Sequence, residues 1–237
     1  MQSAAINIAL ENENQSQSSY LLFLAMMSLN IMLCTGVLSS MMVKVGFLYT
    51  MAGTLIVPLW FTVNDIIAEI YGYQVAKKII WFGFVCQALF GIVANLLIQL
   101  PEPGFAHNQL AYQTVLKPVL HICASGFFAF IAGGFINIYL ISKWKILLRG
   151  RYFWLRSLGA STIAEFIFTT LAVFFIQFGK LPLSGILTII ITSYSLKVIY
   201  SIFLAYPANL LALAIKKADG VDVYDYKINF NPFKFVG

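Results

Sequence analysis

The chain has 237 residues, 60% of them hydrophobic and 10% charged, with a net charge of +6 and a mean hydropathy of +0.85. A soluble domain carries about 25% charged residues, so the composition excludes an ordinary soluble domain and indicates an integral membrane protein with several crossings. The surplus of cations then reads as a topology signal, and no nucleic-acid partner is expected.

Residues 1–19 read as a polar cytoplasmic tail that carries Glu11 and Glu13 but no Lys or Arg. The tail lacks the charged start and short apolar core of a secretion signal, so the first span is expected to be retained. Six apolar stretches are long enough to cross the hydrocarbon core as helices: 20–43, 46–71, 79–100, 119–142, 155–178 and 185–215. Their separators are Lys44 and Gly46, Gly72 to Lys78, Pro101 to Pro118, Lys143 to Arg156, and Gly179 to Pro182. No two-residue alternation stands out, so a closed barrel is not expected. The fold class is all-α: a polytopic membrane protein with six transmembrane helices in one bundle over 20–217, followed by a cytoplasmic C-terminal tail, 218–237.

Orientation follows from the cations. Lys77, Lys78, Lys143, Lys145, Arg149, Arg151, Arg156, Lys216, Lys217, Lys227 and Lys234 fall on one side, and Lys44, Lys117 and Lys180 on the other. The first side is expected to be cytoplasmic, with both termini. Trp81, Trp144 and Trp154 lie beside these cations, as an interfacial belt would.

Within the spans, polar residues recur on single helical faces. The second span offers Pro58, Thr62, Asp65 and Glu69; the third Gly83, Gln87, Gly91, Asn95 and Gln99. The fourth offers Gly126, Gly133 and Asn137, the fifth Ser161, Glu165 and Thr169, the sixth Ser193, Lys197 and Ser201. Such faces suit a bundle around a shared polar interior, because an ionised group at mid-bilayer costs upwards of about 2.5 kcal/mol unless it has a partner. Asp65 and Glu69 are the sharpest signal, two carboxylates at i, i+4 in an apolar span. A helix continuing to Lys77 puts Asp65 near the midplane; a break at Gly72 puts it near the inner interface, within reach of Lys77 or Lys78. Glu165 and Lys197 read either as a structural ion pair or as pocket lining. The third-span row reads either as a packing seam or as substrate contact.

Cys34, Cys86 and Cys123 show no ligand spacing and are expected to be buried small residues. His107 and His121 have no second ligand nearby, so no metal site is expected. The chain has no Gly-x-x-x-x-Gly-Lys-[Ser/Thr] loop, no His-Glu-x-x-His and no Gly-x-Ser-x-Gly. Neither catalytic residues nor a cofactor are expected.

The stretch Asn64-Asp-Ile-Ile-Ala-Glu-Ile-Tyr-Gly72 resembles the signature of the queuosine-precursor transporters, vitamin-uptake-like six-helix proteins of the bacterial inner membrane. Trp154-Leu-Arg-Ser-Leu-Gly159 resembles the family's Arg-containing entry to the fifth span, and Lys197 with Pro207 resembles its sixth. Asp222-Val-Tyr-Asp-Tyr-Lys-Ile-Asn-Phe-Asn-Pro-Phe233 is similar to the family's ending. The resemblance runs from about Asn30 onward. One departure stands out: where family members often carry an acid or amide and then an Asp three residues on, this chain has Glu165 and then Phe168.

The resemblance implies a bundle like the substrate-binding subunits of energy-coupling-factor transporters, working without a separate ATPase module. It implies a small-molecule deazaguanine substrate, 7-cyano-7-deazaguanine or its 7-aminomethyl relative, salvaged for tRNA modification. The residues suit that chemistry, since one carboxylate accepts both the ring N–H and the exocyclic amine of a deazaguanine. Candidate substrate-binding residues are Asn64, Asp65, Glu69, Gln87, Asn95, Glu165 and Lys197, with Tyr71, Phe127 or Tyr200 to stack on the ring. Proton coupling and facilitated diffusion are both compatible with intramembrane carboxylates. Two other classes stay open: an intramembrane enzyme using Asp65 and Glu69 as an acid–base pair, and a non-transporting scaffold. Gly-rich faces on the third and fourth spans permit a homo-oligomer.

Overall fold

The computed structural model describes residues 2–46, 48–103, 108–226 and 228–234, with side chains from residue 19 onward. His107 and Lys227, and the side chains of Glu11 and Glu13, lie outside the described residues. Among the described residues, six helices are long and apolar enough to cross a membrane. They are α1 (Gln2–Leu38), α2 (Val57–Tyr71), α3 (Tyr73–Leu97), α4 (Gln109–Leu147), α5 (Phe153–Gln177) and α6 (Leu183–Asp219). The polar N-terminal segment continues α1 rather than standing apart from it, and the apolar part of that helix is Ser19–Leu38.

The expected second span is corrected at its start. There β1 (Met42–Val45) pairs antiparallel with β2 (Leu48–Met51) as a hairpin, with Met42 opposite Met51 and Val45 opposite Leu48. A 3-10 turn, Ala52–Leu55, leads from it into α2. The hairpin is tied to α6: Thr50 and Ser193 hydroxyls lie 2.8 Å apart, and Thr192 donates to the Tyr49 carbonyl at 3.1 Å.

The α2 helix sits at the centre of the bundle and packs against all five other helices. Of its span, 78% is buried, against 28–56% for the others, so this short helix is shielded from lipid all round. That is why it can carry two carboxylates. Around its first half Trp60, Phe61, Phe130 and Phe168 pack edge to face, with ring centroids 4.7–5.8 Å apart. Pro58 falls in the first turn, where no intrahelical N–H is needed.

Gly72 ends α2 with φ +83°, a left-handed conformation that a side chain disfavours. Asp65 therefore lies seven residues, or about 10 Å, from that helix end. Space excludes a side chain there as well: a Cβ on Gly72 would meet Val223 at 2.9 Å and Asp225 at 3.0 Å. Those residues belong to the C-terminal tail, which lies across the α2–α3 junction. Val223 N–H donates to the Ile70 carbonyl (3.0 Å), and Asp225 accepts from the Tyr73 N–H (2.9 Å). Further along, Lys77 donates to the Lys234 carbonyl (2.6 Å) and Trp81 to that of Pro232 (2.9 Å).

The glycine rows are mainly packing seams. A Cβ on Gly83 would touch Met32 of α1 at 3.1 Å, and one on Gly91 would touch Cys123 of α4 at 3.4 Å. One on Gly133 would lie 2.8 Å from the Phe168 Cβ of α5. The cysteine expectation holds for Cys123 alone: Cys34 and Cys86 are exposed on the helix surfaces, where lipid tolerates a small apolar group as readily as a core does.

Candidate functional site: a polar column along the central helix

Three helices bring polar side chains to one line. The α5 helix presents Ser157, Ser161, Glu165 and Thr169 at four-residue intervals, all buried, one about every 6 Å. The α6 helix presents Ser193, Lys197 and Ser201, and α2 presents Asp65 and Glu69.

The column begins at the cation-rich end. Glu69, 1% exposed, accepts from both terminal nitrogens of Arg156 (2.7 and 2.9 Å) and from Lys216 (2.6 Å). Lys216 also meets Asp222 of the tail at 2.7 Å. Lys145 donates to Asp222 at 2.5 Å, to the Val223 carbonyl at 2.6 Å and to the Glu69 carbonyl. Burial pushes the Asp222 carboxyl up, but the Lys145 and Lys216 ammoniums outweigh it and hold the group below its ordinary value.

One turn deeper, Asp65 meets no cation among the described residues. It accepts from the hydroxyls of Ser157 (2.5 Å) and Ser161 (3.0 Å) and from the Asn137 amide. Asp65 and Glu69 thus share a helix face but no partner. They do not flank a common space, as an acid–base pair acting on one substrate would.

Further along lie Glu165 and Lys197. They form no ion pair: Glu165 Oε1 accepts from Ser201 at 3.2 Å, and Lys197 donates to Thr169 at 2.9 Å. The Lys197 ammonium also sits 4.6 Å from the Phe168 ring centroid, a cation–π contact at the position where the resemblance leads one to expect an Asp. Glu165 Oε2 is buried and has no hydrogen-bond partner among the described residues. An unmatched carboxylate oxygen in a membrane interior is costly and marks a site.

Lys197, Thr169, Phe168 and Gln87 line a narrow cavity of about 30 Å³. That volume suits a water or two; ligand pockets run to about 300 Å³ and above. Thr35 and Ser39 of α1 add hydroxyls to it, and Met51, Gly53 and Thr54 of the hairpin segment cover it.

The other candidates fall elsewhere. Asn64 turns toward α1, donating to Ser28 (3.1 Å) and the Trp60 carbonyl (2.8 Å). Gln87 reaches the cavity while donating to the Met32 carbonyl at 3.2 Å. Asn95 lies at the far end of α3, bonded to Gln99 at 2.9 Å and away from the column. Tyr71 donates to Asp219, and Tyr200 is exposed on α6. Phe127 packs among Trp81, Phe84 and Phe128. None of these three rings lines the cavity; Phe130 and Phe168 do. Lys77 is taken up by the tail, so the partners of Glu69 are Arg156 and Lys216 instead. Ser157 and Asn137 lie on polar faces already visible in the sequence, one turn from Ser161 and Gly133.

Six membrane-long helices, among the described residues, with polar side chains gathered between them define a multi-pass integral membrane protein. A family model described as "Putative vitamin uptake transporter" matches residues 51–212, more than half of the chain, and the protein belongs to that family. It is similar to the "Queuosine precursor transporter" of Escherichia coli (strain K12), 26% identical over 204 residues, or 83% of this chain and 89% of the relative. It is also similar to the "Probable queuosine precursor transporter" of Bacillus subtilis (strain 168), 26% identical over 142 residues. That match spans 58% of this chain and 60% of the relative's own length. No solved structure matches the chain significantly. Family membership makes this a transport protein and not an enzyme.

Proposed function

We propose that this protein imports a queuosine precursor across a bacterial inner membrane. The substrate is 7-cyano-7-deazaguanine or 7-aminomethyl-7-deazaguanine, and no separate ATPase is required. On this reading the cation-rich end and both termini face the cytoplasm, as the positive-inside rule directs, and the hairpin covers the outer end. The names of both relatives support the substrate class.

The observation that carries the reading is the unmatched Glu165 oxygen: Glu165 does not itself line the small cavity, but it stands one helical turn from Thr169, which does. Glu165 accepts the ring N–H and exocyclic amine of the deazaguanine, a charge-assisted pair of bonds. Lys197 leaves Thr169 to meet the ring carbonyl. Gln87 reads the remaining edge, and Phe130 and Phe168 pack against the flat ring. Asp65 and Glu69 line the route between this pocket and the inner end, held by the groups that close it. Because the cavity is far smaller than a heterocycle, loading requires the hairpin to move away from α6.

The test is substrate binding by the purified full chain together with uptake in cells. Glu165→Gln should lose binding of both deazaguanines while the protein still reaches the membrane. Unimpaired binding in Glu165→Gln and in Lys197→Met would remove the pocket from this position.

A further inference from the structure

A second cavity, of about 530 Å³, opens at the cation-rich end between the start of α5 and the end of α6. It is separate from the small cavity of the column and shares no lining residue with it. Lys216, Arg151 and Asn209 supply its polar wall, and Tyr152, Trp154 and Leu213 its apolar one.

The charge at this place is not balanced. Glu69, at the back of the cavity, and Asp222, beside it, are the carboxylates of the cluster. Against those two stand four cations: Lys145, Arg156, Lys216 and Arg151. Both carboxylates are already engaged by two cations each. Arg151 is exposed and has no carboxylate partner among the described residues. The cavity therefore holds a surplus of positive charge with free guanidinium donors, and Asn209 adds an amide on the facing helix.

The apolar wall gives the orientation. Leu213 is 56% exposed and Trp154 is 43% exposed. Both lie on membrane-length helices at the end where the cations collect. An outward-facing Leu beside a Trp at such a level meets acyl chains and the headgroup boundary. A ligand that satisfies both walls carries a phosphate at one end and an apolar body at the other.

We infer that this cavity is a binding site for a phosphate anion, seated between Arg151 and Lys216, and that the headgroup of an anionic phospholipid supplies it. The guanidinium and ammonium bind the phosphate oxygens by charge-assisted hydrogen bonds, while the acyl chains run along Leu213 and Trp154. The inference does not depend on which substrate the protein carries.

The full-length protein, in nanodiscs mixing phosphatidylcholine with phosphatidylglycerol, is released for native mass spectrometry. The expected result is selective retention of phosphatidylglycerol. Arg151→Gln should lower it about fivefold, the weight of one basic residue near an anionic surface. Arg149→Gln, on the same loop but outside the cavity, should leave it unchanged. Both arginines are exposed, so neither change threatens folding. A parallel arm measures the thermal midpoint in phosphatidylcholine alone with added inorganic phosphate. Protection there that Arg151→Gln abolishes, without selective lipid retention, supports the anion site and assigns it to free phosphate. Equal retention of the two lipids with no protection by phosphate overturns the inference. So does retention in Arg151→Gln equal to that of the unmodified protein.

Discussion

Arg156 holds Glu69 with both terminal nitrogens, at 2.7 and 2.9 Å, in a place where neither side chain reaches solvent. The pair joins the central helix to the start of α5, and Lys216 extends it to the end of α6. Three helices are thus fixed at one end of the polar column by a single carboxylate.

The geometry predicts an asymmetric mutational response. Removing one partner of a buried ion pair costs about 3–5 kcal/mol where the other charge is left uncompensated. Glu69→Gln does this to Arg156, whereas in Arg156→Gln Lys216 still meets Glu69 and the loss is smaller. Glu69→Gln should therefore lower the thermal midpoint in detergent sharply and Arg156→Gln less so, and the double variant should recover part of the loss. Arg156→Lys should fall in between, because a point-charge ammonium cannot reproduce the two-nitrogen fork. A double variant that falls below the unmodified chain by the full sum of the two single effects would show that the two side chains do not act as a pair.

Asp222 gives a pH-dependent prediction. Its carboxyl is held below the ordinary value by Lys145 and Lys216. A carboxyl depressed in the folded state contributes stability above its unfolded pKa, about 3.9, and that contribution is lost as pH falls through the folded value. Asp222→Asn should therefore be less stable than the unmodified chain at neutral pH, and the gap should close on acidification below about pH 4. With 41% of the side chain exposed, the effect is small and screened by salt. Midpoints measured across pH at two salt concentrations check it; a gap that widens on acidification contradicts the assignment.

Much of this arrangement was legible in the sequence, for a definite reason. A charged or amide side chain in an apolar helix must face protein, so the i, i+4 rows containing Asp65, Glu165 and Lys197 pointed inward correctly. The hairpin was not legible. From Met42 to Met51 only Lys44 and Thr50 are strongly polar, too few to display a two-residue period. The partners of Glu69 were hidden differently. Lys145, Arg156 and Lys216 lie near helix ends, where cations report topology, and nothing in their spacing separates those that turn inward from those that face water. Only the packing of α4, α5 and α6 around α2 does so.

Gly72 supports a prediction about the tail. Its φ of +83° disfavours any side chain, and a Cβ would press on Val223 at 2.9 Å. Gly72→Ala should destabilise by at least about 1 kcal/mol from backbone strain alone. It should also lift the tail from the α2–α3 junction, because Val223 and Asp225 bond the backbone on either side of it. Limited proteolysis reads the second effect directly: cleavage after residue 220 should become faster in Gly72→Ala. Unchanged cleavage with lowered stability would mean that the strain is absorbed within α2.

The hairpin offers the most direct test of how the cavity beside Lys197 is reached. Thr50 of β2 and Ser193 of α6 face each other with hydroxyls 2.8 Å apart. Both are buried, beside the cover of the cavity, so cysteines at these positions meet at a separation that a disulfide can span. With Cys34, Cys86 and Cys123 replaced, a Thr50→Cys and Ser193→Cys chain should cross-link on oxidation. If substrate enters by displacement of the hairpin from α6, the oxidised protein should neither bind nor take up a deazaguanine. Reduction should restore both, and each single cysteine should be indifferent to oxidant. A cross-linked protein that still loads substrate would mean that entry runs between helices. The Glu165 pocket would then survive as a proposal, but with its access from the membrane side.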